Sequence, residues 1–250
     1  MQELELLLEA VTEAGRLAMT LFRQSVRNWR KGDNSPVSDA DIAVDRLLHD
    51  RLMTARPGYG WLSEEAEDGP ARLGASHVFV VDPIDGTRGF LKGGDGWCIS
   101  AGLVRDGAPI AAVVYRPLTE ETYAASGTGG ATRNHAPIRA GSRADIAGAR
   151  ILGAKQITQK LAGCEAMGAA DIPLALRLCL VADGTYDGFV AATPKNDWDI
   201  CAGDLILRQA GGIVTDLSGA ACIYNRRETF QRGIIASGAA LHMAIRKVVT

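Results

Sequence analysis

Asp82-Pro83-Ile84-Asp85-Gly86-Thr87 follows the apolar run His77-Val78-Phe79-Val80-Val81, and this junction decides how the chain is read. The run is β-branched and aromatic, which predicts a buried strand ending in Asp82. Two acids at the end of a buried strand need a positive partner, because an unpaired charge in a poorly solvated place is costly. Pro83 is expected to stop the strand and stiffen the turn. Asp82 and Asp85 would then lie on one side, with the Ile84 carbonyl between them. Hard oxygen donors of this kind suit Mg²⁺. Gly86 permits close backbone approach. If Thr87 opens a helix, the amides of Gly86 and Thr87 face an anion. Spacing alone fits an Asx-type turn with solvated acids equally well.

Upstream, Leu4, Leu7, Leu8, Val11, Ala14, Ala18, Leu21 and Phe22 recur at helical spacing and predict an amphipathic helix over 2–26. Trp29–Pro36 is turn-rich and basic. A second helix is expected from Ser38 or Asp39, both good N-caps, to just before Pro57-Gly58. Ile42, Val44, Leu47, Leu48 and Leu52 would face inward and Asp45 outward. Downstream, Trp97–Val104 and Pro109–Tyr115 predict a hairpin turning at Asp106-Gly107. Glu121–Ser126 extends it into an antiparallel meander, which the turn at Gly127–Ala131 is expected to end.

The remainder alternates helix and strand, as a second layered sheet requires. Strands are predicted at 150–153, 186–191, 212–216 and 233–236, and helices at 174–182, 198–210 and 239–248. A soft boundary falls near 140–148. It divides an N-terminal α+β half, 1–145, from a C-terminal α/β half, 146–250.

The sequence has 250 residues, 47% hydrophobic and 22% charged, enough to bury a sizeable core. Its net charge of −2 gives no general basic character for a nucleic-acid partner. No run of 18 apolar residues predicts a membrane span. The acidic start, Met1-Gln2-Glu3-Leu4-Glu5, argues against a signal or transit peptide. The five cysteines form no C-x-x-C pair and read as buried thiols in a reducing, cytoplasmic setting. The four histidines make no ligand pair, and Gly127–Ala131 lacks phosphate-loop spacing.

Acids also stand at the ends of other predicted elements, at Asp39/Asp41, Glu64/Glu65 and Asp197/Asp199. Together with 82–87 these segments carry a resemblance. Asp82–Thr87 is similar to the signature of the inositol monophosphatase family. Trp198-Asp199 with Ala202-Gly203, then Ala210-Gly211-Gly212, resembles its second signature, W-D-x-x-A-G followed by A-G-G. Ser63-Glu64-Glu65 is similar to its G/S-E-E element, and Ser35–Asp41 to its S-P-V-T-x-A-D element. The four matches fall in family order across 35–212.

The resemblance implies an α/β (α+β) fold, an α-β-α-β-α layered sandwich acting as one compact catalytic unit. It implies a first Mg²⁺ held by Glu64, Asp82, the Ile84 carbonyl and Asp85, and a second by Asp82, Asp85 and Asp199. A third, weaker ion is common in the family. Gly86 and Thr87 would hold the phosphate, beside Asp85 and Asp199. Asp41 would accept from the Thr87 hydroxyl, and with Glu64 and Thr87 orient the attacking water. Glu65, Glu67 and Asp68 are expected on a solvated face, Asp39 as a helix cap and Asp197 as a loop acid. A homodimer and inhibition by Li⁺ are further family traits.

The expected substrate is a small phosphorylated metabolite. Ala192 stands where inositol phosphatases often carry an acid, and Asp171-Ile172-Pro173 replaces a Gly-Ser or Gly-Thr stretch. Lys195, Arg88 and Lys92 make the surroundings basic, and a second substrate phosphate would profit from them. Asp-Gly-Thr-Arg and Lys-Asn-Asp-Trp-Asp are similar to the bacterial 3′(2′),5′-bisphosphate nucleotidase branch. Inositol or sugar phosphatase, histidinol phosphatase and a low-turnover regulatory binder are the alternatives.

Overall fold

The computed structural model describes residues 2–32 and 34–249. Helix α1, Gln2–Leu21, buries Leu7, Val11, Ala14 and Ala18 along one stripe. It stops five residues short of the expected end, with Arg23 at φ 60°. A short hairpin follows, β1 (Asn28–Arg30) against β2 (Pro36–Ser38). Helix α2, Asp39–Ala55, starts where expected. Ser38 is its N-cap in a capping box with Asp41, which satisfies amide donors that the first turn leaves free. Val44, Leu48 and Leu52 are buried, while Ile42 and Leu47 are only partly covered.

The first sheet has seven strands in sequence order, β3 (Gly60–Ser63), β4 (His77–Asp85), β5 (Cys98–Arg105), β6 (Ala108–Arg116), β7 (Glu121–Ser126), β8 (Gly130–Arg133) and β9 (Ala136–Pro137). Only β3 and β4 are parallel. The Asp106-Gly107 turn joins β5 to β6 with both residues at positive φ. The meander continues into β8 and β9, so the turn at Gly127–Gly129 does not end it. Strand β4 also runs past Pro83. It continues to Asp85 with an irregular register between Asp82 and Asp85, then leads into the short helix α3, Thr87–Leu91. An imino nitrogen removes one ladder donor without ending a strand that bulges there.

Residues 138–149 lead to the second part. In order it contains β10 (Arg150–Gly153), α4 (Lys155–Thr158), β11 (Glu165–Met167), α5 (Leu174–Ala182), β12 (Gly188–Ala191), β13 (Lys195–Asn196), α6 (Asp197–Gln209), β14 (Gly212–Thr215), β15 (Phe230–Gln231), β16 (Ile234–Gly238) and α7 (Ala239–Val249). The second sheet is mixed, in the order β11-β10-β12-β16-β14. β10 lies parallel to β11 and β12.

Five layers result. Helices α1 and α2 cover one face of the first sheet, and α5 and α6 cover the other. The second sheet packs on α5 and α6, and α4 and α7 close its far side. This explains why β4 reads as a continuous apolar run. Phe79 and Val81 enter the core under α1 and α2. Val78 and Val80 enter the larger core shared with α5, α6 and the second sheet. A strand buried on both faces loses the apolar–polar alternation of a half-exposed one.

Helices α5 and α6 approach very closely at Gly203. A methyl group there would stand 2.6 Å from Leu178 Cβ and 3.0 Å from the Ala175 carbonyl. Gly203→Ala is therefore expected to destabilise by about 1–3 kcal/mol through overpacking. A thermal melt checks this, since an unchanged Tm would mean that the two helices separate without cost.

Candidate active site

The fold brings the ends of four elements to one place. Glu64 follows β3, Asp82 and Asp85 lie in β4, Thr87 opens α3, and Asp199 sits in the first turn of α6. Glu64, Asp82, Ile84, Asp85, Gly86, Thr87 and Asp199 all line one open cavity of about 630 Å³. Gly86 takes φ 98°, and its Cα faces the Gly96 carbonyl so closely that a side chain would collide at 2.3 Å. Only glycine fits that corner. Arg88 and Lys92 line the same cavity, and so do Asp171, Ile172 and Pro173.

Asp41 lies behind the cavity rather than in it, at 1% exposure. Its Oδ2 accepts from the Ser38 amide at 2.8 Å and the Ser38 hydroxyl at 2.5 Å. Its Oδ1 lies 2.8 Å from the Thr87 hydroxyl. The Ile84 carbonyl is 3.2 Å from that hydroxyl, and one hydroxyl proton serves only one acceptor at a time. Burial raises the Asp41 carboxyl against these hydrogen bonds. Asp41 thus supports Thr87 from the protein side.

Asp85 accepts the Ala175 amide at 2.7 Å. The start of α5, capped only by Pro173, thereby finds an acceptor 90 residues away for one of its free donors. Asp82 is 2% exposed, and its Oδ1 has no hydrogen-bond partner among the described residues. Burial, and then the carboxylates of Glu64, Asp85 and Asp199, push Asp82 well above the usual carboxylate range. Burial pushes Asp85 up to about 6 against the α5 amides. Burial, and then Asp85 and Glu64, push Asp199 up to about 7.

Several acids sit differently from expectation. Glu65 is not solvated. Its side chain is 3% exposed and pairs with Lys31 Nζ at 2.8 Å, and burial pushes its carboxyl up to about 7. Asp45 is half-buried and accepts from the Ser63 hydroxyl. Asp197 is fully buried at the start of α6, where it accepts from the Asn225 amide at 3.0 Å and Gln231 Nε2 at 2.9 Å. Asp39 is the first residue of α2 and pairs with Arg27 on the surface; Ser38 is the cap. Lys195 does not line the carboxylate cavity but a neighbouring one.

Two cations were not singled out by the sequence reading. Lys31 reaches from the β1–β2 hairpin to Glu64 Oε1 at 2.9 Å, and its only signal was the basic character of 29–36. Arg177 lines the carboxylate cavity from α5. Its signal was a single charge inside the apolar run Leu174–Ala182.

The donors fit a hard divalent cation in chemistry: carboxylate oxygens, one of them buried and unpartnered, plus the Ile84 carbonyl. They are not drawn into a closed ligand sphere. Among the described residues, no three His, Cys, Asp or Glu side chains converge tightly enough to hold an ion as they stand. Glu64 leans toward Lys31, and mutual repulsion opposes closure of the remaining acids.

A buried carboxylate cluster lining this open cavity, on a five-layer α-β-α-β-α frame, fits a phosphoric monoester hydrolase, the class that the family and its relatives show. A model of the inositol monophosphatase family matches residues 2–250, and the chain belongs to that family. It is 36% identical over 238 residues to an inositol-1-monophosphatase of Rhizobium meliloti, covering 86% of each protein. It is 28% identical over 242 residues to the 3′(2′),5′-bisphosphate nucleotidase CysQ of Aggregatibacter actinomycetemcomitans, covering 89% of this chain and 87% of that protein. The structure of the extragenic suppressor protein suhB from Bartonella henselae superposes with a TM-score of 0.86 at 28% identity, covering 100% of this chain and 99% of that one. No helix among the described residues is long and apolar enough to cross a membrane.

The raised carboxyls set the sign of a pH effect. Asp85 and Asp199 hold protons more tightly folded than unfolded, so the cation-free fold is favoured at low pH. It loses that advantage as pH rises through about 6 to 7. In chelator, Tm is expected to fall from about pH 4 to about pH 7, and Asp82→Asn should raise it at the upper end. A pH-independent Tm with no gain in the variant would show that the acids do not strain the fold.

Proposed function

We propose that this protein is a Mg²⁺-dependent phosphomonoesterase that uses an activated water, acting on a 3′(2′),5′-bisphosphate nucleotide or an inositol monophosphate. The observation that carries this reading is the buried, unpartnered Asp82 Oδ1 among three further carboxylates. Glu64, Asp82, the Ile84 carbonyl and Asp85 would hold one ion, and Asp82, Asp85 and Asp199 a second, with room for a third. Bound ions of this type make a water easier to deprotonate and offset charge on the phosphoryl group and its leaving oxygen. Four carboxylates are balanced by two such ions, which leaves a nearly neutral site for a dianionic phosphate.

The chain's own residues supply direction. Ser38 occupies Asp41 Oδ2, so Asp41 Oδ1 is left to receive the Thr87 proton. With its proton committed to Asp41, Thr87 Oγ1 presents a lone pair to the cavity and orients the attacking water as an acceptor. Glu64, at the rim, is placed to take part in removing that water's proton. Gly86 and Thr87 offer amides at the start of α3 to the phosphate oxygens. Arg88 and Lys92 add positive charge along the cavity wall. Both halves of the chain contribute ligands, so they are read as a single catalytic unit. Relatives named for inositol monophosphate and for bisphosphate nucleotides support the two substrate classes. Homodimer formation, Li⁺ inhibition and a cytoplasmic setting follow from the family resemblance and sequence rather than from any contact in the structure.

Phosphate release is expected to require Mg²⁺, and Asp85→Asn to lower kcat at least ~10²-fold with it. Thr87→Val should cost ~10²–10⁴-fold, the range for losing a group that positions a proton transfer. Equal release with and without Mg²⁺, or an unaffected Asp85→Asn enzyme, would overturn the reading.

A further inference from the structure

Asp199 reaches the cluster from the first turn of α6, so its place depends on how that turn is held. Its Oδ2 accepts the Asn196 amide at 3.0 Å, which closes the capping box inside the turn but ties it to nothing outside. The firmest anchors to the rest of the protein are on Asp197, which is fully buried. Its amide donates to the Thr229 carbonyl at 2.7 Å. Its Oδ2 accepts the Asn225 amide at 3.0 Å, and its Oδ1 accepts from Gln231 Nε2 at 2.9 Å. Hydrogen bonds to a charged acceptor are stronger than those between neutral groups. Asn225 and Thr229 belong to the link 216–229 between β14 and β15, which contains no helix or strand. An anchor on such a link holds only as firmly as the link itself is held.

At Asn225 the hold comes from the other half of the chain. Arg72 lies in the turn Pro70–Gly74, on the segment that leads from Glu64 to β4, and is buried. Its Nε and Nη2 donate to the two Asp68 carboxylate oxygens at 2.6 and 2.8 Å. This two-pronged ion pair stiffens the segment after Glu64. Its Nη1 crosses to Asn225 Oδ1 at 2.7 Å and to the Arg226 carbonyl at 3.0 Å. Asn225 Nδ2 donates back to the Arg72 carbonyl at 3.3 Å. Asn225 takes φ 57°, a conformation that asparagine tolerates but that few residues adopt without support. One guanidinium therefore grips both the segment carrying Glu64 and the residue whose amide holds Asp197. Neither Arg72 nor Asn225 lines the carboxylate cavity.

We propose that Arg72 is a positioning residue of the hydrolytic site: through Asn225 and Asp197 it fixes the first turn of α6, and so keeps Asp199 and Glu64 in place against Asp82 and Asp85. This rests on the Mg²⁺-dependent reading above. Asp82 and Asp85 share one strand, and local geometry sets their spacing. Glu64 and Asp199 come from separate elements, and like charges drive them from the strand acids when no cation lies between. The core fixes the body of α6, but a terminal turn frays unless its end is tied. The chain from Arg72 through Asn225 to Asp197 is that tie. Ligands ordered in advance lose less freedom when the ion arrives. Partners that stand behind metal ligands are typically worth ~10–100-fold in metal affinity.

The test is a calorimetric Mg²⁺ titration of the substrate-free protein, well below its Tm, with phosphate release from adenosine 3′,5′-bisphosphate and inositol 1-phosphate measured alongside. Arg72→Lys keeps the charge but loses the planar fork. Asn225→Gly suits the positive φ and keeps the amide that holds Asp197, but loses the side chain that Arg72 grips. Each is expected to raise the Mg²⁺ Kd ~10-fold and to lower kcat at low Mg²⁺, with KM for the phosphate ester near wild type once Mg²⁺ saturates. Both changes cut one path, so the double variant should bind Mg²⁺ no more weakly than the worse single one. Asn225 is only half-buried, so its variant carries the test should Arg72→Lys not fold. A lower Tm in chelator with an unchanged Mg²⁺ Kd would make the clamp purely structural and overturn the proposal while leaving the hydrolase reading intact. Additive losses in the double variant would do the same. A wild type that neither binds Mg²⁺ nor releases phosphate would overturn both.

Discussion

The hydrogen bond from the Ala175 amide to the Asp85 carboxylate joins the end of β4 to the start of α5. It is the point on which the site's geometry turns. Helix α5 has no side-chain cap of its own, so its first turn needs an acceptor from elsewhere. Asp85 in turn needs donors, because it is buried beside like charges. Each remedies the other's deficit. Once α5 is fixed, α6 is fixed by its close contact at Gly203, and α6 delivers Asp199. A single charge-assisted contact thereby sets the distance between acids that lie far apart in the chain.

Much of this was legible in the sequence, for identifiable reasons. Helix α5 matches its predicted limits, and α6 differs by one residue at each end, because their apolar patterns are long and their boundaries carry Pro173, Asn196 and Gly211. The Asp106-Gly107 hairpin was legible because its turn needs two residues at positive φ. Strands β8, β9 and β11 were not, because Gly130–Arg133, Ala136–Pro137 and Glu165–Met167 hold no two adjacent large apolar residues, as the equally short β10, β12 and β14 do. Periodicity over so short a span carries no signal.

The site divided in the same way. Acids at element ends were readable, since a charge at the end of a buried segment demands explanation. Burial of individual acids was not. Glu65 and Asp45 were expected in solvent, yet Glu65 is covered by the pairing with Lys31 and Asp45 by its contact with Ser63. Both contacts depend on how the β1–β2 hairpin and β3 lie on α2, which no local pattern encodes. Arg177 escaped notice for the opposite reason. Its neighbours describe a core helix, and only the adjoining cavities show that one of its turns faces open space.

The irregular register of β4 carries a consequence of parity. Side chains two apart on a strand share a face, whereas those three apart do not. Asp82 and Asp85 are three apart, yet they oppose Ser100 and Cys98, which are two apart. The one surplus residue in the segment restores a common face to the two acids. The identities of residues 83 and 84 are therefore tunable in ways that their number is not. A substitution there reshapes the bulge by degrees, but loss of one residue returns the strand to an even count. Asp85 would keep its face, but the bulge that places Ile84 in the cavity wall would be lost, so the site tolerates misspelling here more readily than a shift of frame.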